Sequence, residues 1–501
     1  MPITQPGKTG PKRTNLRSFI HRLRARLGAR YVLDRPEELL VYECDACTLI
    51  KSPPEVVVLP RMAEEVSFVI RLCRQFKIPY TARGSGTGLS GGALPVEGGV
   101  LISLNRMDQI LEIDAKNRTA TVEVGVVNAW LNEALKPYGL FYAPDPSSQA
   151  ACTLGGNIAE NAGGIHCIKY GVTTDHILAL EVVLPDGTVT WLGGKNRRSH
   201  GPNLVSLMVG SEGTLGVITK AIVRLLPCPE KVRVFLAAFD TVADAGAAVS
   251  TIIKSGLLPS ALEFMDAFTV KAVNEAFRVG FPEHSEAVLL IELDGFESQI
   301  THDELKLKEI LDAHRVMQVR IGETEAERKV LWGARKGAVA AYGRFQPAFY
   351  LHDCVIPRSQ LVPILEKINE VAARYRIIIG NVFHAGDGNL HPNILFDPDD
   401  PDMVQRVLKG GEEILHACLA VGGTLSGEHG IGIEKAEYMA LQFSPESLEK
   451  MKLVKRIFDE ANLANPQKIF PQRAGCGETH LSITNPMQLA PNSQNGEGLW
   501  I

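Results

Sequence analysis

Three glycine-dense runs in the first half of the chain constrain its fold more than any other feature. Residues 82–92 read ARGSGTGLSGG, residues 144–175 read PDPSSQAACTLGGNIAENAGGIHCIKYGVTTD, and residues 209–218 read VGSEGTLGVI. Residues without Cβ let the backbone curl until several N–H groups converge, and such a nest binds anions, phosphates above all. The segment Gly86-Thr87-Gly88-Leu89-Ser90-Gly91 has the spacing G-x-G-x-x-G. A dinucleotide turn of the Rossmann type would continue into a helix, and a Walker A loop would continue into Lys-Ser/Thr. Here Gly92-Ala93-Leu94-Pro95 follows and then a strand, so both readings fail. Ser85, Thr87 and Ser90 add hydroxyl donors to the nest. In the second run Pro144 and Pro146 present an extended rim, while Thr153, Gly155, Gly156 and Asn157, and again Gly163 and Gly164, permit close backbone approach. The third run turns into a strand over 217–224. Three such surfaces imply one large flat ligand held mostly by backbone, and a dinucleotide suits them better than a mononucleotide.

With 501 residues and ~150 per domain, two to four folding units are expected. That length buries enough surface without help from disulfides or metals. Short strands are predicted at 55–60, 78–82, 100–104, 119–124 and 177–184, with helical spacing of Val66, Val69, Ile70 and Leu72 between the first two. Asp186-Gly187 marks a hairpin turn. The strands and helices mix without a regular βαβ rhythm, which points to the α+β class. Pro227 and Pro229 bracket a boundary, beyond which strand-helix-strand-helix-strand suggests a second α+β unit. The expected division is a flexible basic N-terminus over 1–15, a first domain over 16–228 that opens with an amphipathic helix over 16–27, a second over 229–471, and a disordered polar tail over 472–501.

The net charge of −5 argues against a dedicated nucleic-acid binder. No apolar run reaches the 18 residues of a membrane-spanning helix. The start is rich in Lys and Arg, with Asp34 the first carboxylate. That composition reads as a flexible tail, the alternative being a mitochondrial presequence. The nine cysteines are odd in number and scattered, with Cys44 and Cys47 the one C-x-x-C pair. This pattern fits a reducing compartment and excludes a ferredoxin-type cluster held by this chain alone.

Histidines mark a second constellation. Residues 377–396 read IIIGNVFHAGDGNLHPNILF. A hairpin turning at Asp387-Gly388 sets His384 directly opposite His391, with Asn393 on the same face. Two converging imidazoles suit Zn²⁺, Mn²⁺ or Fe²⁺, and Glu428 in GEHGIG (427–432) completes a His₂Glu set with an open position. The bland alternative is a pair of surface histidines on a hairpin.

Taken together, the glycine runs resemble the FAD-binding domain of the PCMH-type, vanillyl-alcohol-oxidase-like flavoproteins. Within them the chain is similar to the group of FAD-linked glycolate oxidases and D-lactate and D-2-hydroxyglutarate dehydrogenases, over about Leu16 to Pro471. The resemblance implies a PCMH-type FAD-binding domain, an α+β substrate (cap) domain with an antiparallel sheet, and a C-terminal helical segment returning to the first domain. It makes Arg83, Gly84, Ser85, Gly86, Thr87, Gly88, Ser90 and Gly91 the pyrophosphate loop. It gives flavin contacts to Pro144, Asp145 and Ser147, to Thr153, Gly155, Gly156, Asn157, Asn161, Gly163 and Gly164, to Tyr170 and Gly171, and to Glu212, Gly213, Gly216 and Ile218. His166 lies near the ring-binding segment, yet relatives of this type hold the cofactor without a covalent link, so non-covalent FAD is expected. The motif H-x-G-D-G-N-x-H implies that His384, His391 and Glu428 bind a divalent metal, Zn²⁺ or Mn²⁺ first, that His429 is the catalytic base and that Asn393 assists. Trp332-Gly-Ala-Arg335 matches W-x-x-R, whose arginine holds the substrate carboxylate. Asp353 matches a family position without an assigned role. Leu351-His352 stands where relatives acting on longer diacids carry a polar side chain, which leans toward a small hydroxyacid.

The expected activity is FAD-dependent oxidation of glycolate or a small D-2-hydroxyacid such as D-lactate to the 2-oxoacid. The rivals are a D-2-hydroxyglutarate-type dehydrogenase, a non-catalytic FAD-binding subunit of a glycolate oxidase-type complex, and a zinc hydrolase using the same ligands. No nicotinamide site is visible, so soluble NAD is not the expected acceptor. Expected partners are a second FAD-type chain and an iron–sulfur chain within a homo- or hetero-oligomer. The expected location is the cytoplasm, or the periphery of the inner membrane through those partners.

Overall fold

A computed structural model describes residues 13–472 apart from 48, 197–200 and 283. Most of the expected flexible N-terminus, and the expected disordered tail beyond Gln472, therefore lie outside the described residues.

The first half builds two sheets over one core. Strands Val56–Val58 and Tyr80–Arg83 run parallel to Val100–Ser103, and Val32–Leu33 completes a four-stranded sheet. Helix Ala63–Phe76 buries Val66, Val69, Ile70 and Cys73 on one stripe and stops at Lys77, which adopts the left-handed conformation. A second sheet of five antiparallel strands has the order Ile110–Asp114, Thr119–Glu123, Val217–Arg224, Ile177–Val183, Val189–Gly193. The hairpin at Asp186-Gly187 forms as expected, with Val183 paired to Val189. The shared core runs from Phe19 on helix Arg13–Leu27 to Leu225.

The second half is organised by one large sheet. Its main order is Val316–Gly322, Lys231–Phe239, Ala287–Gly295, Ala261–Asp266, Ile378–His384, Asn389–Leu390, Cys354–Val355, and Pro392–Phe396 bridges Ile378–His384 to Ala348–Leu351. Helices cover both faces. Phe235, Ala237 and Phe239 join the core under helices Val242–Lys254, Glu297–Ala313, Leu361–Tyr375 and Pro401–Ala420, while Val234, Leu236 and Ala238 join the one under Ala267–Phe277 and Glu325–Lys336. Alternate residues point to opposite faces. A strand buried on both therefore reads as an unbroken apolar run, as VFLAAF does.

After helix Pro445–Phe458 the chain returns to the first half. Val454, Phe458, Leu463 and Ala464 pack on the first core, and Ala464 bridges to Tyr80. The Asn465 amide donates to the Gly92 carbonyl at 2.9 Å. The architecture is α+β, as the sequence implies.

The glycines after Thr153 form the first turn of helix Leu154–Glu160, which Thr153 caps. One local expectation is corrected. The histidine hairpin has a different register. Gly380 pairs with Asn393 and His384 with Asn389, two residues away from the pairing that would oppose His384 to His391. A shift of two preserves the face, so the imidazoles still meet, diagonally, with ring centroids 5.0 Å apart.

Candidate active site

The glycine runs and the histidine constellation line one cavity of about 310 Å³ between the two halves. From the glycine runs, Arg83, Gly84, Ser85, Gly86, Thr87 and Gly88 line it, as do Ser147, Thr153, Gly155, Gly156 and Asn157, and Glu212, Gly213, Gly216 and Ile218. From the second half come Arg335, His391, Asn393, Glu428 and His429. Gly88 faces open space, since a Cβ there would meet no protein atom within 4 Å. Several buried polar atoms of lining residues have no hydrogen-bond partner: Arg83 Nη1, Asn157 Nδ2, Glu160 Oε2, Arg335 Nε, His391 Nε2 and Asn393 Oδ1. Buried polar atoms are ordinarily paired, so a polar ligand is the natural partner for this set.

Other sequence-predicted residues stand behind the wall and shape it. The Ser90 carbonyl accepts from the backbone of Ile433 and Glu434, and Gly91 packs on Ile433. The Pro144 carbonyl accepts from Asn128 Nδ2. Asn161 caps helix Leu154–Glu160 in the left-handed conformation, and Gly171 turns at φ +84° against Asp175. Gly164 lies against Asp145, and Gly163 against Glu428. Tyr170 donates to Asp294 Oδ2 at 2.5 Å, joining the two halves. His166 does the same between Asp145 (2.9 Å from Nδ1) and Glu292 (3.0 Å from Nε2). Burial pulls its imidazolium pKa down, but the two carboxylates outweigh this and hold it well above the ordinary value.

The proposed ligand set converges. Glu428 Oε1 lies 3.1 Å from His384 Nε2 and 3.3 Å from His391 Nε2. One ligand atom from each of the three falls within 4.8 Å of the others. Burial pushes the Glu428 carboxyl up, yet His384 and His391 hold it well below its usual range. Two imidazoles and a carboxylate with these atoms facing one another fit a divalent ion chemically. His429 stacks on His391 with ring centroids 5.0 Å apart. Burial pulls its pKa down to about 4, so the ring is neutral near pH 7.

Three charged residues that sequence reasoning left without a role hold this set in place. Asp353 Oδ2 accepts from Ser426 Oγ (2.6 Å) and from the backbone N–H groups of Gly427 (3.0 Å), Glu428 (3.1 Å) and His429 (2.9 Å). Glu263, fully buried, lies between His384 and Arg335. Glu292 accepts from Trp332 Nε1 at 2.8 Å, which seats the helix that carries Arg335. Their signals were weak because each is a single carboxylate within an apolar strand or a short loop. Lys336, Val339, Phe349, Leu351 and Val382 also line the cavity beside Arg335 and Asn393.

No described helix is long and apolar enough to cross a membrane. The described cysteines are all unpaired.

Residues 54–193 match the FAD binding domain family, and residues 228–469 match the family described as FAD linked oxidases, C-terminal domain. The chain is 44% identical to the glycolate oxidase subunit GlcD of Escherichia coli (strain K12), covering 92% of each chain. It is 41% identical to glycolate oxidase subunit GlcD of Bacillus subtilis (strain 168), over 87% of this chain and 93% of that one. It is 34% identical to the D-lactate dehydrogenase of Anaerostipes hadrus, over 84% and 90%. Among solved structures, p-cresol methylhydroxylase with substrate bound superposes with a TM-score of 0.79 at 18% identity, covering 92% of this chain and 98% of that one. The 4-ethylphenol oxidase of Gulosibacter chungangensis gives 0.77 at 21%, covering 93% and 99%, and both likenesses speak for the fold alone. Two family matches that together span most of the chain, with relatives at 44% and 41% identity along nearly all of it, make this protein a member of the FAD-linked oxidases.

Proposed function

We propose that this chain oxidises a small D-2-hydroxyacid such as D-lactate, or glycolate, to the 2-oxoacid, with non-covalent FAD and a divalent metal, Zn²⁺ or Mn²⁺ first. One observation carries the reading: glycine-run backbone and the set His391, Asn393, Glu428, His429 and Arg335 share the walls of one cavity. A hydrolase using the same ligands would leave the glycine-lined wall without a purpose. A non-covalent cofactor is supported by His166, whose two ring nitrogens are both engaged by carboxylates.

When bound, the flavin would supply a hydride acceptor and a divalent ion would supply Lewis acidity to the substrate hydroxyl. The chain does the rest. His384, His391 and Glu428 would hold the ion. Arg335, with Nε unpartnered and the side chain buried, would accept the substrate carboxylate in its planar fork. His429 would take the hydroxyl proton at a neutral ring nitrogen. Asn393 Oδ1, buried and unpartnered, would add a polar contact to the substrate. Val339, Phe349, Leu351 and Val382 leave an apolar wall that suits a short side chain. A second reading, a longer dicarboxylate of the D-2-hydroxyglutarate type, is favoured by Lys336, a half-buried cation on the same wall.

The division into a cofactor domain over 16–228 and a substrate domain over 229–471 belongs to the same reading. It is supported by the separate cores of the two halves, with the last segment packing back on the first. So do partner subunits, a second FAD-type chain and an iron–sulfur chain, and a location in the cytoplasm or against the inner membrane through them. Relatives named as glycolate oxidase subunits support that part.

The test is anaerobic bleaching of the purified yellow protein with glycolate, D-lactate, L-lactate and D-2-hydroxyglutarate, before and after chelation. Bleaching by D-lactate or glycolate, lost on chelation, is expected. No bleaching by any of the four would leave the passive-subunit reading standing.

A further inference from the structure

The sequence motifs treat the carboxylate-binding arginine and the metal-binding histidines as separate devices. In the fold they are joined by one side chain that belongs to neither motif. Glu263 lies on strand Ala261–Asp266, directly across from His384 on strand Ile378–His384. It is fully buried. Its two oxygens go to different partners: Oε1 lies 2.7 Å from His384 Nδ1, and Oε2 forms an ion pair with the Arg335 guanidinium, which is itself 4% exposed. His384 turns its other nitrogen toward Glu428, 3.1 Å away.

We infer that Glu263 is a positioning residue that couples the substrate-carboxylate site at Arg335 to the metal site at His384. The inference rests on the metal reading given above. A His that binds a metal through Nε2 must carry its proton on Nδ1, and a carboxylate accepting from Nδ1–H fixes that tautomer, orients the ring and raises its basicity. Here that carboxylate is shared. Arg335 neutralises much of the charge that Glu263 would otherwise direct at His384, and the same pairing holds one edge of the guanidinium and leaves Nε free. The charge on Glu263 is thus divided between two neighbours, so a change at one is felt by the other. A fully buried carboxylate has no solvent to absorb the difference.

The test is a double-mutant cycle on the FAD-loaded full-length protein, stripped of metal and titrated with Zn²⁺, with the dissociation constant as readout. Glu263→Gln keeps the shape and removes the charge, and is expected to weaken Zn²⁺ binding about 10- to 100-fold with the flavin retained. Arg335→Gln, at a residue outside the ligand set, is expected to tighten Zn²⁺ binding several-fold with Glu263 present and to have no effect in the Glu263→Gln background. Equal effects of Arg335→Gln in both backgrounds, or Zn²⁺ affinity unchanged by Glu263→Gln, would overturn the coupling while leaving the metal site and proposed activity intact. Wild-type protein that binds neither Zn²⁺ nor Mn²⁺ would overturn the coupling and the metal reading together. Should Glu263→Gln not retain FAD, Glu263→Asp, which keeps the charge but withdraws it from His384, replaces it as a single variant: weaker Zn²⁺ binding is expected, and unchanged affinity would overturn the coupling.

Discussion

The backbone N–H of His429 donates to Asp353 Oδ2 at 2.9 Å, and the N–H of Glu428 donates to the same oxygen at 3.1 Å. A single fully buried carboxylate thus fixes the loop that carries both the proposed base and the proposed third metal ligand. Burial pushes the Asp353 pKa up, but His429, His391 and Lys435 more than offset this and hold it well below the usual carboxylate range.

Asp353→Asn keeps an acceptor for the loop but loses the charge that faces His391. The expected outcome is a protein that still binds FAD, with metal affinity down about 10- to 100-fold and flavin reduction slowed in parallel. Metal analysis after dialysis and stopped-flow bleaching measure the two.

Gly163 abuts the proposed metal ligand Glu428. A Cβ there would stand 2.6 Å from Glu428 Oε2 and 3.1 Å from Cys167 Sγ. Gly163→Ala is expected to displace Glu428 and weaken metal binding at least about tenfold, while thermal stability changes little. A variant with wild-type metal content would show that Glu428 has room to move.

His429→Asn keeps a polar side chain of moderate size and removes the basic nitrogen. The variant is expected to remain yellow and to lose about 10²- to 10⁴-fold in the rate of flavin reduction. Absorbance of the oxidised flavin confirms loading, and the single-turnover rate carries the result.

His166 ties the two halves together through Asp145 and Glu292. Its folded-state pKa is raised above the unfolded value of about 6.5. The stability it contributes is therefore fully present below about pH 6.5 and lost as pH rises through the folded-state value. The difference in Tm between wild type and His166→Asn is expected to be largest on the acidic side and to shrink with rising pH. A constant difference across that range would mean that the imidazole is not held charged.

The glycine runs and the H-x-G-D-G-N-x-H and GEHG segments could be read from the chain because close backbone approach and metal ligation each demand particular residue types at fixed spacing. The period-2 and period-3.6 apolar patterns disclosed several strands of the first half and the helices Arg13–Leu27 and Ala63–Phe76 for the same local reason. The histidine register was missed by two residues, since turn geometry depends on packing around Asp387-Gly388 and not on that dipeptide alone. The face survived the error because a strand repeats every second residue.

Local sequence thus determined which residues are candidates to hold a dinucleotide or a metal. Only the tertiary structure decided that they meet in one cavity, that His166 is a strut between two carboxylates, and that Glu263, Asp353 and Glu292 support the site. Those three carboxylates take their meaning from partners far along the chain: Glu263 from His384, Asp353 from His429, Glu292 from His166. A buried charge is stable only where the fold supplies its counter-charge and donors, and no pattern within one segment encodes that supply.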